Sequence, residues 1–366
     1  MYRTLVLVVC CCLPGGASAG IAVQPFGSAA DGTPVERVTL ENERGMRLAF
    51  IDYGATLVAA EVPDRKGVRR NVILNLPDLP AYQRTQRRFA AVMGRYAGRI
   101  GGARFTLDGR TVELVANAKG VALHGDPDGY DRRVWRRRDF ADAVSIGSVY
   151  SIVSPDGDQR FPGRVEVSVT YRLLRKTNEF RIEYAASTDA PTVINLTNHA
   201  YFNLAGEGAR GMASHLFTIR AGRYAETDAK RIPNGVLASV DGTALDFRRP
   251  AGMMAGLAAP SALLGDPPGF DHSLVFDKPD GAFDLVAVID ETTSGRRMEI
   301  RTTEPALQLN GGGGFDGSEN GYQRNDGFAF ETQHLPDSPN HPNFPSTALY
   351  PGKPFTSVTS YRFPAR

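Results

Sequence analysis

Apolar and polar residues alternate with a period of two along several stretches of this chain. The clearest are Val165 to Leu173 and Phe180 to Tyr184, which a short polar connection separates, and Phe283 to Ile289 with Met298 to Ile300 around Ser294-Gly295. This period places alternate side chains on opposite faces of a strand, one face against a core and the other in water. The pattern therefore predicts two antiparallel pairs of strands.

Two earlier regions carry further strand signals. Arg47 to Val58 alternates, and Glu61 to Gly67 is typical of a turn. Ala103 to Leu114 predicts a hairpin, because Asp108-Gly109 at its centre accepts the positive φ angles of a tight bend. The strand signals therefore continue through the first third of the chain.

Helical patterns are rare by comparison, and only Leu79 to Thr85 and Gly252 to Ala258 favour a turn or two of helix. Many antiparallel strands with few short helices predict an all-β protein built as a large antiparallel β-sandwich. With 366 residues the chain can bury a large core, and neither a fixed-period repeat nor a linker divides it. We predict a single domain over residues 20–366.

Residues 1–19 have a different pattern. A short basic start, Met1-Tyr2-Arg3, precedes the apolar run Thr4 to Leu13 and the small residues Ala17-Ser18-Ala19. This order is typical of a cleavable signal peptide, and the apolar run is too short to span a bilayer. Val9 before Cys10 is a poor match to a lipoprotein anchor. We predict cleavage near Ala19, a periplasmic or secreted location and no membrane association after cleavage.

Composition excludes several kinds of chemistry. All three cysteines, Cys10 to Cys12, lie in the predicted leader, so the mature chain would contain neither disulfides nor a cysteine nucleophile. The net charge of +2 gives no electrostatic argument for a nucleic-acid partner. No two histidines have a close metal-binding spacing, so we predict no metal site. His215, His334 and His341 are expected to have structural roles.

Three sequence motifs occur in contexts that do not suit them. Gly16 to Gly20 fits G-x-S-x-G but straddles the predicted cleavage site. Gly206 to Gly211 fits G-x-G-x-x-G, yet Leu216 to Arg220 after it predicts a strand rather than the helix of a dinucleotide site. Asn195-Leu196-Thr197 fits a glycan acceptor, but it lies beside candidate site residues, and we interpret it as unmodified. We predict no cofactor.

Three polar residues are better placed for chemistry, although each alone is more often structural. Glu331 ends an apolar-alternating strand and precedes a loop that prolines stiffen. His199 lies within Asn195 to Leu204, where amides interleave with aromatic residues, and His124 ends an apolar run before a glycine. Amides offer donors and acceptors, and aromatic faces suit the C–H faces of a sugar ring. The mixture favours a polyhydroxylated ligand.

Several segments, in their order and approximate spacing, resemble the galactose mutarotase (aldose 1-epimerase) family. The most specific are ETQHLPDSPNHPNFPSTALYPGKPF, which begins at Glu331, and TNHAYFNLAG, which begins at Thr197. The remaining matching segments are Phe50 to Asp64, Gly94 to Ile100, Leu123 to Gly125, Gly129 to Trp135 and Phe270 to His272. The resemblance covers nearly all of the predicted mature chain.

The resemblance implies a galactose mutarotase-like supersandwich and an isomerase that interconverts the α and β anomers of free hexoses such as glucose or galactose. It implies that Glu331 takes the proton from the C1 hydroxyl while His199 gives one to the ring oxygen, which opens the ring. It further implies that the sugar hydroxyls are held by Arg99, His124 and Asp271, with Gln308 as a further contact. Such proton transfers require no cofactor or metal. The implied partner is a small-molecule aldose, and the protein is expected to be a monomer or homodimer.

The chain departs from the family pattern at Gly98, where asparagine is usual, at Asp126, where a second glycine is common, and at Ala200, where serine is frequent. Sugar preference therefore stays open. Two alternatives also stay open: a non-catalytic periplasmic sugar-binding protein on the same fold, and an epimerase of a related or phosphorylated hexose. A phosphate site needs clustered basic residues. The sequence offers one basic run for it, interpreted mainly as a solvated strand edge, namely Arg132, Arg133, Arg136, Arg137 and Arg138.

Overall fold

Strands make up most of the regular structure in the computed structural model, which describes residues 19–259 and 261–364. The predicted leader lies outside these ranges, apart from Ala19. Within the described residues the strands, β1 to β27 in chain order, are Gly20–Ser28, Pro34–Glu41, Arg47–Ile51, Thr56–Pro63, Arg69–Asn71, Val92–Met93, Arg99–Ile100, Arg104–Leu107, Arg110–Glu113, Ala122–Leu123, Arg136–Ala141, Ser145–Ser154, Val165–Leu174, Glu179–Thr188, Thr192–Val193, Thr197–Asn198, Tyr201–Phe202, His215–Ile219, Arg223–Thr227, Pro233–Ser239, Asp271–Val275, Asp284–Glu291, Arg297–Thr302, Ala306–Asn310, Phe328–Gln333, Ala348–Leu349 and Phe355–Arg362.

Helices are short. The α-helices in the described part of the chain are α1, Leu79–Arg84, and α2, Met253–Ala258, which confirms both helix predictions. Asp78 begins α1 because its carboxylate accepts a hydrogen bond from the amide of Ala81 at 2.9 Å. Single turns of 3₁₀ helix are Gly101–Ala103, Tyr130–Arg132, Asp158–Arg160, Ala262–Leu264 and Ser338–Asn340.

Three antiparallel sheets form the framework. Their strand orders are β1-β2-β3-β4-β5, then β11-β12-β13-β14-β27-β23-β22-β18, and β17-β25-β24-β21-β19-β20. Four two-stranded ladders complete the structure: β8-β9, β7-β10, β6-β16 and β15-β26. The all-β sandwich with few short helices is thus confirmed.

The alternating pattern along β13 and β14 is confirmed in the structure. Val165, Val167, Val169, Tyr171 and Leu173 on β13 are buried in the main hydrophobic core. Residues between them are more exposed, because the other face of this sheet meets water. The β22–β23 pair and the β8–β9 hairpin also occur where the sequence predicts them.

The first sheet differs from the prediction. The alternating stretch Arg47 to Val58 is two strands, β3 and β4, because a turn at Gly54 reverses the chain. Gly54 has φ +66°, and a Cβ there would lie 2.8 Å from the carbonyl oxygen of Asp131. β4 then continues to Pro63, so the predicted turn at Glu61 begins later. Phe50 faces the main core and Ile51 faces a second hydrophobic cluster, so β3 is covered on both sides.

The main core draws on residues from Val38 to Phe363 and joins all three sheets. Trp135 is buried in it, and its Nε1 donates a hydrogen bond to the carbonyl of Tyr130 at 3.0 Å. The single-domain organisation over residues 20–366 stays a prediction. In the part of the chain that the structure describes, no helix has the length and apolarity to cross a membrane.

Candidate active site

β25 places Glu331 on the face of its strand opposite the core. Phe328 and Phe330 point into the main hydrophobic core, and Glu331 lines a cavity on the other face. On the neighbouring β24, Leu309 packs in the core and Gln308 lines the cavity, directly opposite Glu331 in the ladder. The period of two along both strands therefore brings their polar side chains together on one side of the six-stranded sheet.

β21 adds an acidic residue to this face. Asp271 lines the cavity and its Oδ1 accepts a hydrogen bond of 2.6 Å from Nε2 of Gln308. The hydroxyl of Ser273 donates to Oε1 of the same Gln308, which fixes the direction of the amide. Asp271 also lies 3.4 Å from a guanidinium nitrogen of Arg99. The four polar groups thus form one connected set.

His199 reaches the cavity from the short loop between β16 and β17. Its carbonyl accepts from the amide of Ala90 at 2.9 Å, and its own amide donates to the carbonyl of Ala91 at 3.0 Å. The ring packs against Tyr201, with 5.1 Å between the ring centroids. Hydrogen bonds therefore fix the backbone of His199, and its ring packs against Tyr201.

Arg99 and His124 come from the β7–β10 ladder, in which Leu123 pairs with Arg99. His124 follows with φ +54°, and its Nδ1 accepts a hydrogen bond of 3.1 Å from the amide of Gly98. Because Nδ1 is the acceptor, Nε2 of the neutral ring carries the proton and is a donor. The rings of His124 and His199 lie 5.6 Å apart.

One cavity of about 410 Å³ is lined by every residue that the sequence selected. These are Arg99, His124, His199, Asp271, Gln308 and Glu331. Its volume lies in the usual range for small-molecule sites. The structure therefore brings the six predicted residues together, and their individual roles stay a prediction.

The two residues expected to exchange protons are neighbours at the base of the cavity. Nε2 of His199 lies 3.6 Å from Oε1 of Glu331, and the two residues are 7% and 2% exposed. Burial raises the pKa of Glu331 to about 8 and lowers the pKa of His199 to about 4, because charged forms lose hydration. Burial alone therefore favours a protonated carboxyl beside a neutral imidazole.

Buried polar atoms around the cavity lack partners. Within the described residues, Oε2 of Glu331, Nδ1 of His199 and Oε1 of Gln333 have no hydrogen-bond partner. Buried polar groups in native proteins are normally hydrogen-bonded, to protein or to water. A ligand with several hydroxyl groups would satisfy such atoms.

Arg88 is a cavity residue that the sequence did not indicate. It is buried and forms an ion pair with Asp126, the residue that stands where the family commonly has a second glycine. Its positive charge opposes the burial effect on the pKa of Glu331 and adds to the lowering of the pKa of His199. Asp126, one of the departures from the family pattern, thus pairs with an arginine whose charge lies near the candidate acid and base.

Three of these groups could hold a metal ion. Single ligand atoms of His124, His199 and Glu331 all lie within 4.8 Å of one another, a grouping that their spacing in the sequence does not reveal. Two imidazoles and one carboxylate are a familiar donor set for transition metals. The guanidinium groups of Arg88 and Arg99, which line the same cavity, oppose a bound cation.

The arginines of the basic run Arg132 to Arg138 do not line this cavity. Arg136 and Arg138 are exposed on β11, the edge of the eight-stranded sheet, as expected. Arg133 and Arg137 correct the interpretation of a solvated edge, because Arg133 pairs with Asp158 and Arg137 with Asp52 and other carboxylates. A clustered basic site does exist, but other arginines form it: Arg87, Arg88, Arg99, Arg231 and Arg324.

His215, His334 and His341 have structural partners. Nε2 of His215 accepts from the amide of Leu204, His334 pairs with Glu304 at 2.7 Å, and His341 lies 3.2 Å from Asp337. These contacts confirm the structural interpretation of all three.

Four further cavity residues were not selected from the sequence. Tyr201, Phe315, Asn310 and Gln333 line the cavity because of strand register and loop packing. Asn195 is buried, and its side-chain amide donates to the carbonyl of Ala97 at 2.9 Å, which agrees with its interpretation as unmodified.

The sequence profile of the aldose 1-epimerase family matches residues 36–362. The chain belongs to the aldose 1-epimerase family. It is 36% identical to the galactose mutarotase of Rattus norvegicus over 337 residues, which cover 91% of this chain and 95% of the rat protein. It is 35% identical to the aldose 1-epimerase of Escherichia coli K12 over 345 residues, 92% of this chain and 97% of that protein.

Solved structures agree with this assignment. The galactose 1-epimerase of Lactobacillus acidophilus NCFM superposes with a TM-score of 0.84 at 26% identity and covers 95% of this chain and 99% of its own. The galactose mutarotase-like fold expected from the resemblance is therefore confirmed. As a member of the aldose 1-epimerase family, the chain is an enzyme of the isomerase class.

Proposed function

We propose that this enzyme interconverts the α and β anomers of a hexose, with Glu331 as general base and His199 as general acid. The observation that carries the proposal is the 3.6 Å separation of these two side chains at the base of the lined cavity. One group can then reach the C1 hydroxyl while the other reaches the ring oxygen. Proton transfer by positioned groups accelerates such reactions by about 10²- to 10⁴-fold each.

Ring opening follows from two proton transfers. The carboxylate of Glu331 takes the proton of the C1 hydroxyl, the C1–ring-oxygen bond breaks with its electron pair on oxygen, and His199 protonates that oxygen. The product is an open-chain aldehyde. Rotation about C1–C2 presents the opposite carbonyl face, and the C5 hydroxyl attacks while both protons return. The anomeric centre is inverted, and no electron is gained or lost overall.

The shifted pKa values of Glu331 and His199 suit the open-chain stage of the reaction. After ring opening, Glu331 is protonated and His199 is neutral, which is the arrangement that burial favours through the raised pKa of Glu331 and the lowered pKa of His199. The starting arrangement, carboxylate and imidazolium, depends on mutual attraction and on hydroxyl donors from the sugar. Burial therefore favours the protonation states that Glu331 and His199 have when the sugar is in its open-chain form.

The remaining predicted residues are proposed to hold the sugar. Arg99 and Asp271 form a charged pair 3.4 Å apart, and charge-assisted hydrogen bonds to hydroxyls are stronger than neutral ones. Gln308 stands beside Asp271, and Nε2 of His124 is a donor. The relatives named for galactose support a hexose as the substrate.

Polarimetry of freshly dissolved α-D-galactose and α-D-glucose tests the proposal. The wild type should accelerate mutarotation, and Glu331→Gln or His199→Asn should lower kcat by about 10²- to 10⁴-fold. Glu166→Gln is the matched control, because Glu166 is exposed on β13 and its side chain is 58% accessible. A wild type that binds sugars without accelerating mutarotation would establish the non-catalytic alternative, and full activity in Glu331→Gln would refute the assigned base.

We also propose that residues 1–19 are a cleaved leader and that the mature protein is periplasmic or secreted. The leader pattern supports this, as does the start of β1 at Gly20, directly after the expected cleavage site. N-terminal sequencing of protein from the periplasmic and culture fractions should begin near Gly20. Full-length protein confined to the cytoplasm would contradict the proposal.

A further inference from the structure

Five arginines line the cavity: Arg87, Arg88, Arg99, Arg231 and Arg324. The carboxylates that line it are Asp271 and Glu331, and burial raises the pKa of Glu331 to about 8. Near neutral pH the lining therefore carries more positive than negative charge. The chain as a whole has a formal charge of only +2, so this concentration is local.

Three of the arginines have carboxylate partners. Arg88 pairs with Asp126, Arg99 lies 3.4 Å from Asp271, and Arg87 lies 3.6 Å from Glu319. These pairs are internal to the protein and largely offset the three positive charges. They explain those arginines without a charged ligand.

Arg231 and Arg324 differ from the other three. Arg231 donates to the backbone carbonyl of Asp271 at 3.2 Å, and Arg324 donates to the carbonyl of Pro268. Among residues 19–259 and 261–364, neither guanidinium forms an ion pair with a carboxylate, taken as within 4.0 Å. Both residues are partly buried, and a partly buried charge loses hydration that a hydrogen bond to one backbone carbonyl offsets only in part.

The guanidinium groups of Arg231 and Arg324 contact the same segment of the chain. Their backbone acceptors lie at its Pro268 and Asp271, and Phe270 and Gly269 of this loop also line the cavity. The charges that act on the pKa of Glu331 are those of Asp271, Arg99 and Arg88. Arg231 and Arg324 therefore both contact the Pro268 to Asp271 segment at the wall of the cavity.

We propose that the preferred substrate is an aldose that carries an anionic group, a carboxylate or a phosphate, remote from C1, and that Arg231 and Arg324 bind this group. The proposal rests on the proposed epimerase function and names its substrate class. Guanidinium groups match the geometry of carboxylate and phosphate oxygens with paired donors. A neutral hexose would leave both charges without a counter-ion.

NMR exchange spectroscopy, which measures the rate of exchange between anomers at equilibrium, tests the anionic-substrate proposal with four sugars. D-galactose and D-glucose are the neutral arms, D-galacturonate is the carboxylate arm and D-glucose 6-phosphate is the phosphate arm. The wild type should have a higher kcat/KM for one of the two anionic sugars than for the neutral sugars. The preferred anionic sugar shows whether the bound group is a carboxylate or a phosphate. The KM of that arm should rise with ionic strength, because salt screens the attraction.

Charge variants supply the second measurement. Arg231→Gln and Arg324→Gln keep a donor for the backbone carbonyl but remove the charge, and each should lower the ratio of anionic to neutral kcat/KM by about 10- to 100-fold. Arg231→Lys and Arg324→Lys should retain a larger part of the ratio. Arg136→Gln is the matched control, since Arg136 is exposed on β11, and it should leave the ratio unchanged.

The possible results separate the substrate proposal from the proposed function. A wild type that prefers the neutral hexoses, or variants that lower the anionic and neutral kcat/KM equally, would overturn the proposal and leave Arg231 and Arg324 as supports of the loop. Failure to accelerate exchange of any of the four sugars would instead contradict the epimerase function. The two failures are therefore distinguishable.

Discussion

Nε2 of His199 lies 3.6 Å from Oε1 of Glu331, with both side chains almost wholly buried. Burial raises the pKa of the carboxyl to about 8 and lowers the pKa of the imidazole to about 4. Keeping either group charged in this place costs free energy, and Oε2 of Glu331 has no partner among the described residues to offset it. The site thus exchanges stability for reactivity.

Glu331→Gln should therefore make the protein more stable at alkaline pH. The pKa of Glu331 is about 8 in the folded protein against an ordinary 4.5, so the folded state holds a proton that the unfolded state releases as pH rises through this window. Wild-type stability falls from about pH 4.5 to about pH 8, and the glutamine variant lacks this fall. The difference should not exceed about 5 kcal/mol, at about 1.36 kcal/mol per unit.

Urea denaturation at pH 4.5 and pH 8.5 measures the effect. The free energies of unfolding of wild type and Glu331→Gln should be close at the lower pH and diverge at the higher one. Glu166→Gln, on the exposed face of β13, serves as the control and should track the wild type. A difference that is independent of pH would contradict the raised pKa of Glu331.

Arg88 should set the pH range of activity. Its charge acts to lower the pKa values of Glu331, His199 and His124, so Arg88→Gln should move both limbs of the pH profile of kcat/KM upward by roughly one unit. Arg88→Lys keeps the charge and should keep the profile. Arg88→Gln should also destabilise the protein, because Asp126 loses its ion-pair partner. A lower rate with an unshifted profile would show that Arg88 acts by packing alone.

The Ser273–Gln308–Asp271 hydrogen bonds should affect binding more than chemistry. Ser273→Ala frees the Gln308 amide to rotate, and one hydrogen bond of about 1 kcal/mol corresponds to a KM increase of roughly 5-fold with kcat retained. Gln308→Glu should raise KM further, because a second carboxylate would face Asp271, and acidification should partly restore binding. Polarimetry over a range of sugar concentrations separates KM from kcat. A fall in kcat alone would instead place Gln308 at the reacting atoms.

Gly125 should be indispensable for the position of His124. It has φ +83°, and a Cβ there would lie 2.4 Å from the carbonyl oxygen of Gly94. Gly125→Ala should cost several kcal/mol of unfolding free energy, since both backbone strain and a clash arise. Gly157→Ala is the matched control: Gly157 has φ +77° and open space around its Cβ position, so it should cost only about 1 kcal/mol. If urea denaturation showed equal losses of unfolding free energy for Gly125→Ala and Gly157→Ala, the clash at Gly125 would be relieved without cost.

Much of the fold could be predicted from local pattern alone. The alternation along β13 and β14 identified their core faces, and the same period separates Glu331 from Phe330 on β25. The local period failed to describe β3, where the sequence predicts alternation. This strand is buried on both faces, so its pattern depends on the residues that cover each face. A local period predicts a strand but not what packs against each face of it.

Local context in the sequence selected Glu331, His199 and His124. The resemblance to a family added Arg99, Asp271 and Gln308, and the structure places all six around one cavity. The arginines could not be found in this way. Arg88, Arg231 and Arg324 come from separate loops, and no spacing in the sequence connects them, whereas the visible run at Arg132 to Arg138 lies elsewhere.

The sequence by itself determined the all-β class, several of the strands, the two short helices, the family and the identity of the candidate acid and base. Only the tertiary structure decided that Asp126 pairs with Arg88, that His199 faces Glu331, and that two guanidinium groups with no carboxylate partner among the described residues share their cavity. The reason is physical. Period and turn chemistry are local properties of the backbone, but a site's charge depends on sheet register and loop packing, which bring distant residues together.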